Sequence, residues 1–136
     1  MFTVRYGLNI SRVEPENGKL VWISHFSRKG YSVDENAYIS YDRNDKKLKK
    51  LDINSGEVIW EQPFVNKVVN KFEAHKNYYV GKTFRGGIHI IDKETGQELW
   101  RYKTYTSNDV SNYQIYQDKL IITDGTNKIK IFKLPD

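Results

Sequence analysis

The chain has 136 residues, 38% hydrophobic and 14% aromatic, with ten tyrosines, no cysteine and a formal net charge of +5. That length suits one domain. The missing cysteines exclude disulfides, thiolate metal sites and cysteine nucleophiles, and no apolar run is long enough to cross a bilayer as a helix. The first residues, Met1 to Gly7, show no basic stretch followed by an apolar run. No secretory leader is read there, and a cytoplasmic protein without membrane contact is expected. The positive charge reads first as solubility and second as a preference for an acidic partner, protein before nucleic acid.

In chain order, Phe2 to Tyr6 alternates as a strand does, Gly7-Leu8-Asn9 turns, and Ile10 to Val13 leads into a turn at Asn17-Gly18. Lys19 to Phe26 leaves that turn as a strand carrying Trp22. Short strands follow at Tyr31 to Val33 and Ala37 to Tyr41, separated by Asp34-Glu35-Asn36. Lys46 to Leu51 enters a second hairpin and Glu57 to Phe64 leaves it. The same grammar returns with Val68 to Glu73, Tyr78 to Thr83, Ile88 to Ile91 and Glu98 to Lys103. It begins a fourth time with Asn112 to Tyr116, Leu120 to Thr123 and Lys128 to Leu134. Tyr, Ile and Val suit such strands, and no stretch reads as a long helix.

Three stretches are copies of one unit. They run from Val13 to Trp22, Leu51 to Trp60 and Ile91 to Trp100, each with an acidic residue, Gly four positions on, and Trp four positions after that. Asn36, Asn77 and Asp118 lie 41 residues apart and support the same period. A repeat of this length with four short strands is a propeller blade. The expected fold is therefore all-β: a propeller-like array of four-stranded antiparallel blades. Approximate repeats span 31–64 and 67–105, with partial ones at 1–26 and 110–136. The array closes through its own ends or through a second copy of the chain, because exposed edges invite pairing.

The Asp-x-x-[Ser/Thr]-Gly-x-x-[Leu/Ile]-Trp pattern resembles the repeat of PQQ-type, quinoprotein-like β-propellers. Asp52, Ser55, Gly56 and Trp60 carry it, as do Asp92, Thr95, Gly96 and Trp100. The first copy keeps Gly18 and Trp22 but has Glu14 and Asn17 in place of Asp and Ser/Thr. The resemblance implies that these residues shape and lock blades. It also implies a non-catalytic member that takes no cofactor, since the cofactor and calcium ligands of the large ring enzymes find no counterpart. The equal offset of the three Trp residues from their Gly argues that they do one packing job three times.

Little in the chain reads as chemistry. His25, His75 and His89 lack ligand spacing and read as surface or hydrogen-bonded histidines, with His75 in a turn. Asp42, Asn44 and Asp45 lack the Gly and distal Glu of a calcium loop. Arg85-Gly86-Gly87 has no following helix to cradle a phosphate. The dense Lys46, Lys47, Lys49, Lys50 cluster places Lys on both faces of a strand, which predicts an edge strand. Tyr38 and Tyr41 beside it keep a nucleic-acid interface as the alternative. The expected function is non-enzymatic protein binding, such as that of a small inhibitor or immunity-type protein. The alternatives are a nucleic-acid binder or a fragment of a larger propeller. Candidate contact residues are Arg28, Lys29, Tyr31, Lys46, Lys47, Lys49, Lys50, Arg85, Tyr102 and Tyr105.

Overall fold

The computed structural model describes residues 2–5, 9–25, 32–42, 45–64, 72–83, 87–103, 112–123 and 128–135. They form fourteen strands in four antiparallel sheets. The first sheet is β1 (Phe2–Arg5), β2 (Asn9–Val13) and β3 (Leu20–His25). The second is β4 (Ser32–Asp34), β5 (Ala37–Asp42), β6 (Lys47–Asp52) and β7 (Val58–Pro63). The third is β8 (Glu73–His75), β9 (Tyr78–Thr83), β10 (Gly87–Asp92) and β11 (Glu98–Tyr102). The fourth is β12 (Asn112–Tyr116), β13 (Lys119–Thr123) and β14 (Ile129–Lys133). Within each sheet the strands lie in chain order, and each neighbour is reached by a hairpin. β4 and β8, the first strands of two successive sheets, touch each other. This is the all-β, bladed architecture the period predicts.

The cores lie between sheets, not inside any one of them. Trp22 packs with Tyr38 and Leu51 of the second sheet. Ile39, Tyr41, Leu48, Trp60 and Phe64 meet Phe72, Tyr79 and Ile91 of the third. Tyr78, Val80, Ile88 and Ile90 meet Leu120, Ile122 and Leu134 of the fourth. A middle strand is therefore covered on both faces, and every residue of β5 is buried. Such strands read as continuous rather than alternating runs.

Two sequence expectations are corrected. β6 is not an edge strand: it pairs with β5 on one side and β7 on the other. Its lysines are tolerated because carboxylates and a carbonyl receive them, as described below. His75 is not a turn residue but closes β8, opposite Tyr78. Its turn is Lys76-Asn77, and the first residue of this and the two equivalent turns has a positive φ (Glu35 50°, Lys76 49°, Gln117 54°).

A feature the spacing hid is a bulge repeated three times. The register slips at Arg12/Val13, Lys50/Leu51 and Ile90/Ile91. Each slip leaves one residue of the following strand unpaired: Val21, Ile59 or Leu99, all about half exposed. A bulge re-aims the side chain beside it. Here that side chain is the Trp, which stands opposite Arg12, Lys50 or Ile90 in the three copies.

Candidate functional site

The motif hairpins are built by their acidic residues. Asp52 Oδ1 accepts from the backbone N–H of Asn54 (2.8 Å) and Ser55 (2.8 Å), and Gly56 N donates to Asp52 O (2.9 Å). Asp92 Oδ1 accepts likewise from Glu94 N (2.9 Å), Thr95 N (2.8 Å) and Thr95 Oγ1 (3.0 Å). These bonds favour the charged form and hold both carboxyls below the usual carboxylate range, chiefly through the N–H of Ser55 and of Thr95. In the first copy Glu14 is too long for that turn. It accepts from Asn17 Nδ2 instead (2.9 Å), while Gly18 N still donates to Glu14 O (2.8 Å).

The second and third hairpins each receive the indole of the sheet before them. Trp22 Nε1 donates to Ile53 O (2.8 Å), and Trp60 Nε1 donates to Lys93 O (2.9 Å). The same carbonyls accept a cation from the strand facing the Trp: Arg12 Nη1 at 3.2 Å and Lys50 Nζ at 2.9 Å. The indole then lies on the motif glycine. A Cβ on Gly56 would sit 2.7 Å from Trp22 Cγ, and one on Gly96 would sit 2.4 Å from Trp60 Cε3. Both glycines have φ of 76°, so they are required twice over, for conformation and for space. The joint is thus an indole, a cation, a carbonyl and a glycine.

Beside the joint of the second and third sheets lies a polar pocket of about 500 Å³, lined by Asp34, Glu35, Lys50, Asn77, Asp92, Lys93 and Glu94. The first turns of both sheets and the hairpin of the third supply most of these residues and β6 supplies Lys50, so the pocket opens on the turn face. Tyr79 is its floor. Lys50 and Lys93 stand 5.5 and 5.4 Å from the ring centroid, and Tyr79 Oη donates to Asp34 Oδ2 (3.0 Å). Burial and this bond to Asp34 push the Tyr79 hydroxyl's pKa up. Lys93 Nζ lies 3.3 Å from Asp34, and burial lowers the pKa of Lys50. Both ammonium groups are held internally, which leaves Glu35 and Glu94 as the exposed charges of the rim.

The third sheet also holds a buried polar relay. His89 is fully buried, with Nε2 2.8 Å from Thr83 Oγ1 and Nδ1 2.6 Å from Glu98 Oε2. Burial lowers its pKa against the pull of Glu98. Thr83 is fully buried too, so the relay is a packing device under Phe64, whose ring centroid is 5.1 Å from the imidazole. No group of three or more His, Asp or Glu suited to a metal ion occurs among the described residues.

The contact residues expected from sequence are not gathered in one place. Arg28, Lys29, Tyr31, Arg85 and Tyr105 lie outside the described residues. Lys47 pairs with Glu61 (2.8 Å), while Lys49 pairs with Asp42 (3.0 Å) and Asp45 (3.1 Å). Lys46 is exposed in its turn, and Tyr102 packs beside Trp100 and Phe132. Tyr38 and Tyr41 are 3% and 4% exposed, so they cannot stack bases as the nucleic-acid alternative requires. Sequence reasoning missed Arg12, Asp34, Asn77, Tyr79, Lys93 and Glu94. Overlaying the 41-residue turn register on the Trp register would have brought most of them together.

These joints define a β-propeller of PQQ-like repeats. Residues 8–134 match the family model described as outer membrane protein assembly factor BamB, and the chain belongs to that family. It is 23% identical over 136 residues to the BamB of Shewanella oneidensis, covering 99% of this chain and 34% of that protein. Crystalline BamB from Moraxella catarrhalis superposes with a TM-score of 0.69 at 18% identity, over 95% of this chain and 41% of that one. A quinohemoprotein alcohol dehydrogenase from Pseudomonas putida superposes with a TM-score of 0.66 at 12% identity, over 90% and 26% of the two chains. The chain thus spans about a third of the length of the Shewanella relative.

The cytoplasmic expectation does not stand. The curated relatives are all named outer membrane protein assembly factors. The expectation rested on the first few residues alone, and a chain spanning so little of its relatives cannot carry an inference from them.

Proposed function

We propose that the chain is a non-enzymatic protein-interaction module, a run of BamB-type repeats that offers its turn face to a protein partner. The observation that carries this reading is the family match over residues 8–134, to proteins named as assembly factors. The likeness to a quinohemoprotein dehydrogenase, at 12% identity, speaks to fold alone. A contact surface on turns held by rigid sheets is the usual place for recognition. The pocket rim sets four carboxylates against two lysines already in use, which suits a basic or hydrogen-bond-donating group of the partner. A module cut from a larger propeller fits the same observations. Nothing in the comparisons supports an inhibitor or immunity role.

A photo-crosslinking residue placed in turn at Asn77, Glu94 and Lys103 tests the reading in the protein's own cells. Asn77 and Glu94 line the pocket, and Lys103 lies at the far end of β11. The expected result is protein adducts at Asn77 and Glu94 and none at Lys103. Equal adducts at all three positions, or adducts to nucleic acid, would overturn it.

A further inference from the structure

The hydrogen bonds of the His89 relay fix where its proton sits. An ionised carboxylate can only accept, so the 2.6 Å contact with Glu98 Oε2 puts the hydrogen of neutral His89 on Nδ1. The lone pair is then on Nε2, where Thr83 Oγ1 donates to it at 2.8 Å. Thr83 has a second acceptor in reach, since its hydroxyl lies 3.4 Å from the carbonyl of Gly87, its pairing partner across β9 and β10. When a proton adds to Nε2, both ring nitrogens become donors. Thr83 Oγ1 then accepts from Nε2–H, and its own hydrogen turns to Gly87 O. The imidazole and the hydroxyl are paired in either state. The bonds thus serve two charge states of one buried side chain, which packing alone does not require.

Access to Nε2 is controlled by Phe64. Glu98 is the open end of the relay, with a side chain 35% exposed, but it meets the nitrogen that already carries a hydrogen. Nε2 points to fully buried Thr83, and the buried ring of Phe64 packs on the imidazole at 5.1 Å. The charged groups that act on His89 are Glu98 and Arg101, both of β11 and in opposite senses. β9 presents the Thr83 hydroxyl, and the chain beyond β7 presents an apolar ring. His89 and Thr83 belong to strands paired within the third sheet, whereas Phe64 lies just past the end of β7, its N–H donating to Lys46 O (2.8 Å). A residue outside a ladder opens at least cost, so Phe64 yields before the sheet does. We propose that Glu98, His89, Thr83 and Phe64 form an acid-operated latch between the second and third sheets. Phe64 seals the joint over neutral His89. In acid, Nε2 takes up one proton when Phe64 lifts, and the charged ring weakens closure while the turned Thr83 hydroxyl keeps the sheet intact. Burial holds the His89 pKa below its ordinary value, so the full strength of the latch is present above about pH 6.5 and is lost as the pH falls through the folded value.

Amide exchange of the full chain, followed residue by residue by NMR and corrected for the intrinsic rate, tests the latch. The window runs from about pH 7.5 to about pH 5, above the titration of Asp52 and Asp92. The Phe64 amide should be less protected than that of Val80, in the middle of β9, because it opens locally. Protection of Phe64 should fall by up to about tenfold per pH unit, the limit for one proton, and His89→Gln should abolish that slope. The His89 ring nitrogens should titrate at a lower midpoint in Thr83→Val and at the wild-type midpoint in Thr83→Ser, which keeps the hydroxyl. Equal protection of Phe64 and Val80 would overturn the proposal, as would Phe64 protection that ignores pH or a Thr83→Val midpoint equal to that of the wild type. The Thr83 variants leave His89 in place, so their result stands even if His89→Gln does not fold. The latch uses no turn-face residue and is independent of the interaction-module reading.

Discussion

The joint between the second and third sheets and the joint between the third and fourth begin with the same residue and end differently. Trp60 is 8% exposed, bonded to Lys93 O and backed by Lys50. Trp100 is half-buried, faces Ile90 in place of a cation, and borders a cavity. The difference teaches that the tryptophan alone does not lock a blade. It needs the next hairpin's glycine beneath it and the next hairpin's carbonyl at its N–H. The lock is a property of two neighbouring repeats, as in other stacked architectures.

Truncation should separate the two joints most sharply. Trp60→Ala should destabilise the protein by about 3–5 kcal/mol in urea unfolding, and Trp100→Ala by about 1–2 kcal/mol. Equal losses would break the comparison. The glycines should follow. Gly96→Val combines left-handed strain with a clash against Trp60 and should cost about 3 kcal/mol. Gly18→Val should cost about 1–2 kcal/mol, because Gly18 (φ 68°) has no described atom within 4 Å of an added Cβ. Lys50→Met should cost about 1 kcal/mol by leaving Lys93 O with the indole alone.

The acid dependence should be the smallest effect. Asp52 and Asp92 titrate below their unfolded values, so their contribution is present above about pH 4 and lost as the pH falls through the folded value. Asp92→Asn should flatten the acid limb of a stability–pH curve. His89 follows the same sign higher up. Its folded pKa lies below the unfolded value of about 6.5, so stability falls as the pH drops beneath that value. His89→Gln should remove that slope.

The fold was legible because the motif repeats: Gly56 and Gly96 mark hairpins, and Asn36, Asn77 and Asp118 mark the register between them. The joint was not. The bulge beside each Trp leaves the residue count to the glycine unchanged, and the partner carbonyls Ile53 and Lys93 lie 31 and 33 residues away from their tryptophans. The lysine run misled for a related reason. Lys49 looks like a surface guard until Asp42, seven residues back, is folded against it. Its two carboxylate bonds outweigh its burial and raise its pKa.

The most direct test of the shared lock is exchange of the indole protons. The chain has three tryptophans, hence three indole N–H signals to follow in deuterated water. Hydrogen-bonded and buried, Trp22 and Trp60 should exchange slowly, while Trp100 exchanges at or near the solvent rate. Comparable protection at all three would contradict the account, because no described glycine or acceptor meets the indole of Trp100.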